Sequence, residues 1–76
     1  MRIKQDYVVL TFRTTTEAMA AEARCAELRL PGRLIPLPQE IDAGCGLAWR
    51  VPAADFRADE FEASGVRIQG KFSIRM

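Results

Sequence analysis

Residues 6–13, DYVVLTFR, are apolar on both faces of an extended chain, with Val8, Leu10 and Phe12 on one side and Tyr7, Val9 and Thr11 on the other. Such a density of β-branched and aromatic residues reads as a strand. A strand with two apolar faces fits the centre of a sheet, because an edge strand would leave much of that surface in water. The whole chain has 76 residues and makes one domain, 1–76. At this size only ~60% of the unfolded surface is buried on folding, so stability is marginal or aided by self-association.

The remaining segments follow in a regular order. Thr14-Thr15-Thr16 supplies a helix cap before Glu17-Ala18-Met19-Ala20-Ala21-Glu22, and the acidic residues suit the positive end of a helix. The helix is expected to run to about Arg29, with Met19, Ala23, Ala26 and Leu30 as its buried stripe and Cys25 on its flank, before Pro31-Gly32 stops it. A second strand covers residues 33–37, and Pro36 and Pro38 assign it to an edge or to a strand end. Residues 38–46 form a loop longer than a simple hairpin connection, with one helical turn expected at residues 38–41. A third strand, residues 47–51, places Leu47, Trp49 and Val51 on one face. A second helix is expected from Pro52 to about Ser64-Gly65, followed by a last strand over residues 66–75. In that strand Val66, Ile68, Phe72 and Ile74 are expected to be buried and Arg67, Gln69, Lys71, Ser73 and Arg75 wetted. The order β-α-β-β-α-β defines an α+β fold of the ferredoxin-like, split βαβ type: a four-stranded antiparallel sheet with two helices on one face.

Composition removes several function classes. Eleven basic and ten acidic residues leave a formal charge of +1, which provides no electrostatic footprint for nucleic acid or an acidic membrane. No apolar run approaches the ~20 residues of a membrane span, and the N-terminal residues lack the apolar stretch of a signal peptide. A cytoplasmic setting is therefore expected, in which Cys25 and Cys45 would be reduced thiols and not a permanent disulfide. The chain has no histidine, which excludes a Cys-His or Ser-His catalytic pair within it. Two cysteines without histidine cannot close a structural zinc site alone, and no cofactor is implied.

Cys45, between Gly44 and Gly46, is the residue most suggestive of chemistry. Flanking glycines leave a thiol little side-chain cover and let backbone N–H groups converge on a thiolate or an incoming anion. Three readings stand side by side: a small residue required by a tight turn, a nucleophilic or carrier thiol, and a metal ligand shared between chains. For the carrier reading, Gly44 and Gly46 would contribute backbone groups. Arg33 or Arg50 would favour the anion if either side chain turned toward the loop. Cys25, inside the first helix, reads as a small packing residue.

The string RLIPLPQEIDAGCGLA, residues 33–48, resembles the signature of the selenium/sulfur carrier-like family of short bacterial domains. That family's middle segment runs R-L-I-P-x-P-x-x-I-x-x-x-C-G-L-A, and the likeness extends over roughly residues 6–72. The opening strand ending at Phe12 and the Thr-rich helix start at residues 14–22 also fit it. The resemblance implies a carrier holding a persulfide or selenopersulfide on Cys45, with sulfur or selenium donor and acceptor proteins as partners. It implies a carrier thiol and not an independent catalyst. Cys25 lies outside the motif and inherits no role from it. The alternative is a small ligand-binding or dimerising regulatory module in which Cys45 is structural. The apolar second face of the first strand, at Tyr7 and Val9, motivates that homodimer.

Overall fold

The computed structural model describes residues 4–42 and 45–76. The elements are β1 (Asp6–Thr11), α1 (Thr15–Leu28), β2 (Arg33–Pro36), β3 (Leu47–Pro52), a short 3-10 turn (Ala53–Asp55), α2 (Ala58–Ala63) and β4 (Gly70–Arg75). They form one four-stranded antiparallel sheet in the order β2-β3-β1-β4. With two helices, this is an α+β architecture consistent with the ferredoxin-like split βαβ arrangement. β1 lies in the interior of the sheet and the proline-bearing β2 at an edge, as their compositions require.

The main core lies between the sheet and the helices. Val8, Leu10, Phe12, Trp49 and Val51 from the strands meet Ala18, Ala21 and Cys25 of α1 and Phe61 of α2. The Thr14 side chain accepts the Glu17 N–H at 3.1 Å and so caps α1. Arg29, in the left-handed region at φ 55°, ends the helix. The buried face of α1 is Ala18, Ala21 and Cys25, not the Met19–Leu30 stripe, and Met19 is 52% exposed. Small side chains at positions 18, 21 and 25 let the helix backbone approach the sheet closely, whereas a Met19 face would hold it away. Cys25, expected on the flank, is therefore a core residue.

The turn from α1 into β2 depends on Gly32. Its φ is +120°, and a Cβ there would collide with the Trp49 indole and lie 2.8 Å from the Arg50 carbonyl oxygen. The Trp49 indole N–H in turn donates to the Pro31 carbonyl at 3.0 Å. One tryptophan thus fills the core and satisfies the turn.

The second helical region is broken. The 3-10 turn at Ala53–Asp55 ends at an extended Phe56, and α2 begins only at Ala58. The last strand is also shorter than expected, starting at Gly70. The even-numbered residues Phe72 and Ile74 pair with Val9 and Tyr7 on the face away from the helices. Phe72 and Ile68 are exposed, while Ile74 and Val66 are half-buried against the two core clusters, so the expected burial of that side holds only in part. The other side carries Lys71, whose Nζ sits 5.7 Å over the Phe56 ring.

Candidate functional site

The loop after β2 places Cys45 by three backbone links. Leu37 N–H donates to the Gly46 carbonyl at 2.8 Å, closing the loop at its base. Ile41 N–H donates to the Pro38 carbonyl at 3.0 Å, giving a single turn where one was expected. Cys45 N–H donates to the Phe12 carbonyl at 3.1 Å, fastening the end of the loop to the end of β1. Phe12 is fully buried and Thr14, two residues on, caps α1. Cys45 consequently sits where β1 hands over to α1.

The two described parts of the loop pack on different faces of the sheet. Ile41, 6% exposed, packs with Val9 and Ala48 on the face away from the helices. Cys45 packs instead against the main core on the helical side. Its thiol donates to the Leu47 carbonyl at 3.9 Å, a long contact even for sulfur. The residue is half-buried, so part of its surface meets solvent.

The two cysteines therefore differ sharply. Both are free thiols. Cys25 is 1% exposed within the core, and burial pushes its thiol above the ordinary value because the thiolate would lose its hydration. A thiol shielded and held neutral in this way is a poor nucleophile. Cys45 is the accessible sulfur.

Of the other residues singled out from sequence, Gly46 has φ +90°, a backbone state that favours glycine, and is exposed beside Cys45. Gly44 lies outside the described residues. Arg33 and Arg50 are brought to each other and not to Cys45. They are direct cross-strand partners in the β2–β3 ladder, so their side chains share one face. That face is the one opposite the helices. The Arg50 guanidinium lies 4.6 Å from the centre of the Tyr7 ring, with Nη1 4.0 Å from Met76 Sδ. Five residues of near-extended chain separate Arg50 from Cys45, roughly 16 Å along a strand. Neither arginine is placed to stabilise the thiolate. Local sequence could not reveal this, because the face an arginine takes depends on the β2–β3 register.

Among the described residues, no cluster of three or more cysteine or acidic side chains is arranged to hold a metal ion. A cavity of about 580 Å³ lies between α1 and the turn at residues 64–67, with Ala20, Arg24, Ser64 and Val66 in its wall. The Arg24 Nε–H donates to the Ser64 carbonyl at 3.0 Å across this groove. Neither cysteine lines it. No helix of the described residues is long and apolar enough to cross a membrane.

No curated protein and no solved structure matches this chain. A family model does match it over residues 7–72, nearly the full length and including the loop that carries Cys45. The chain belongs to the family described as "Putative Se/S carrier protein-like".

Proposed function

We propose that this protein carries sulfane sulfur or selenium on Cys45 and hands it from a donor protein to an acceptor protein. The observation that carries this reading is the contrast between the two thiols: Cys45 is only partly buried at the end of a tethered loop, while Cys25 is sealed in the core. Membership of the Se/S carrier-like family supports a carrier role over a region that contains both cysteines, and the choice of Cys45 rests on its exposure.

The transfer requires little machinery. The Cys45 thiolate attacks the outer sulfur of a donor persulfide, R–S–SH. A bond forms between Cys45 Sγ and that sulfur as the donor S–S bond breaks, and R–S⁻ leaves. The step is redox-neutral and yields Cys45–S–SH; a selenopersulfide forms by the same displacement when selenium is the transferred atom. An acceptor nucleophile repeats the displacement and regenerates the Cys45 thiolate. No histidine base is needed once the thiolate is present, and the chain has none. A site on the protein surface also suits hand-over between proteins better than an enclosed pocket does.

The second reading, a binding or dimerising module with a structural Cys45, draws on the contact between Cys45 and the main core. The two are separated by onward transfer. The protein is incubated with a cysteine desulfurase and cysteine, re-isolated, and treated with cyanide. A carrier releases thiocyanate in proportion to its Cys45 content and Cys45→Ser releases none; a structural cysteine releases none from either protein.

A further inference from the structure

The face of the sheet away from the helices is covered over only half its extent. The loop over residues 37–42 covers the end carrying Ile35, Ala48 and Thr11, where Ala48 and Thr11 are fully buried. At the other end lie Tyr7, Ile74 and Met76, all half-buried, and Phe72, 38% exposed. The ladder pairings put Arg33, Arg50, Val9 and Phe72 in one row across all four strands. The uncovered half is therefore an apolar patch bordered by two arginines.

Arg33 and Arg50 face each other across β2 and β3, and the Arg50 guanidinium lies over the Tyr7 ring beside Met76. Like charges directly opposite on neighbouring strands destabilise the pairing. The ion pairs among the described residues are Arg24–Glu27, Arg57–Glu60 and Arg75–Asp6, none of which involves Arg33 or Arg50. On the same face, the covering loop, which reaches Val9 in the arginines' row through Ile41, carries exposed Glu40 and Asp42, likewise absent from those pairs. One half of the face carries the Arg50 guanidinium over Tyr7 and beside Met76, and the other carries acidic groups on a layer of loop.

We propose that this face docks a second copy of the chain, related by a two-fold axis that runs across the strands. Such an axis turns one copy end for end. The loop of each protomer then abuts the uncovered half of the other, and Glu40 and Asp42 approach the half of the partner where Arg33 and Arg50 lie. The contact is isologous, so a single patch supplies both halves of the charge complementarity. Tyr7, Phe72, Ile74 and Met76 form its apolar centre. Pairing through the β4 edge is the weaker alternative, because antiparallel self-pairing about Ser73 would set Lys71 against Arg75. The proposal stands independently of any chemistry at Cys45, which packs on the helical side of the sheet.

Sedimentation equilibrium with charge-reversed variants tests it. The wild type is expected to dimerise by about 0.1 mM, a concentration at which a ~10 µM complex is mostly formed. Arg33→Glu/Arg50→Glu and Glu40→Arg/Asp42→Arg are each expected to weaken self-association by about tenfold or more through like-charge repulsion. An equimolar mixture of the two variants is expected to recover a mixed dimer, since each then presents the charges that the other lacks. Circular dichroism confirms that each variant is folded, and Phe72→Asp, at an exposed position, supplies a variant that breaks the patch without touching the arginines. A wild type that stays monomeric throughout, a dimer unaffected by all three variants, or reversed variants that do not recover on mixing would overturn the proposal.

Discussion

The Cys45 N–H is hydrogen-bonded to the Phe12 carbonyl at 3.1 Å, which fixes an otherwise loop-borne thiol to the most deeply buried end of the central strand. The backbone under the sulfur is thereby held while the residue stays only partly buried. This arrangement suits a residue that must be presented to partners in one orientation.

Under native conditions Cys45 is expected to be alkylated by iodoacetamide at a rate set by its own chemistry. Cys25, 1% exposed, reacts only when the core opens. Peptide mapping over a time course checks this: modification of Cys25 should accelerate with urea while that of Cys45 changes little. Equal rates in native buffer would contradict the assignment.

Cys25 also predicts an alkaline limb of stability. Its folded-state thiol is raised above the ordinary value of 9.0 by burial. Where the unfolded chain has lost this proton and the folded chain still holds it, the unfolded state is favoured. The contribution is therefore intact below about pH 9 and falls as the pH rises toward the folded value. Urea midpoints measured from neutral to alkaline pH should decline more steeply for the wild type than for Cys25→Ala. That variant should itself cost about 1 kcal/mol at neutral pH through the small cavity it leaves.

Gly32→Ala should destabilise by at least about 1–3 kcal/mol, since it combines an unfavourable positive φ with a collision against Trp49 and the Arg50 carbonyl. Gly65→Ala offers the comparison. It shares a positive φ, but no atom lies within 4 Å of its added Cβ, so its cost should be the smaller. Denaturant unfolding of both variants gives the difference directly.

Ile41→Ala links packing to the site. Ile41 is buried with Val9 and Ala48, and its removal should cost about 2 kcal/mol, the low end for a site that can relax toward solvent. The loop between Leu37 and Gly46 then loses its apolar anchor, so Cys45 alkylation should quicken. Thr14→Ala, which removes the cap of α1 at a cost of about 1 kcal/mol, should leave that rate nearly unchanged.

Much of the fold was legible because strong local signals agreed with the global arrangement. The doubly apolar β1, the threonine cap within residues 14–16, the helix end near Arg29 and the inward Leu47-Trp49-Val51 pattern all mark elements found in the structure. The phase of α1 was not legible. Its sequence is dominated by alanine and glutamate, so hydrophobicity barely distinguishes its faces, and close approach to the sheet decides in favour of Ala18, Ala21 and Cys25. The even-numbered face of β4 carries apolar residues but turns away from the helices, a choice made by its register with β1. At the site, Cys45 stood out from its own neighbours in sequence. The placement of Arg33 and Arg50 against each other depended on the β2–β3 ladder and could not be seen without it.

The most direct test of the carrier assignment is intact mass spectrometry after incubation with a cysteine desulfurase and cysteine, with fragmentation to locate the added atom. The account predicts a single added sulfur on Cys45 in the wild type and in Cys25→Ala, and none in Cys45→Ser. Absence of the adduct from the wild type, or its appearance on Cys25 with Cys45 unmodified, would contradict it.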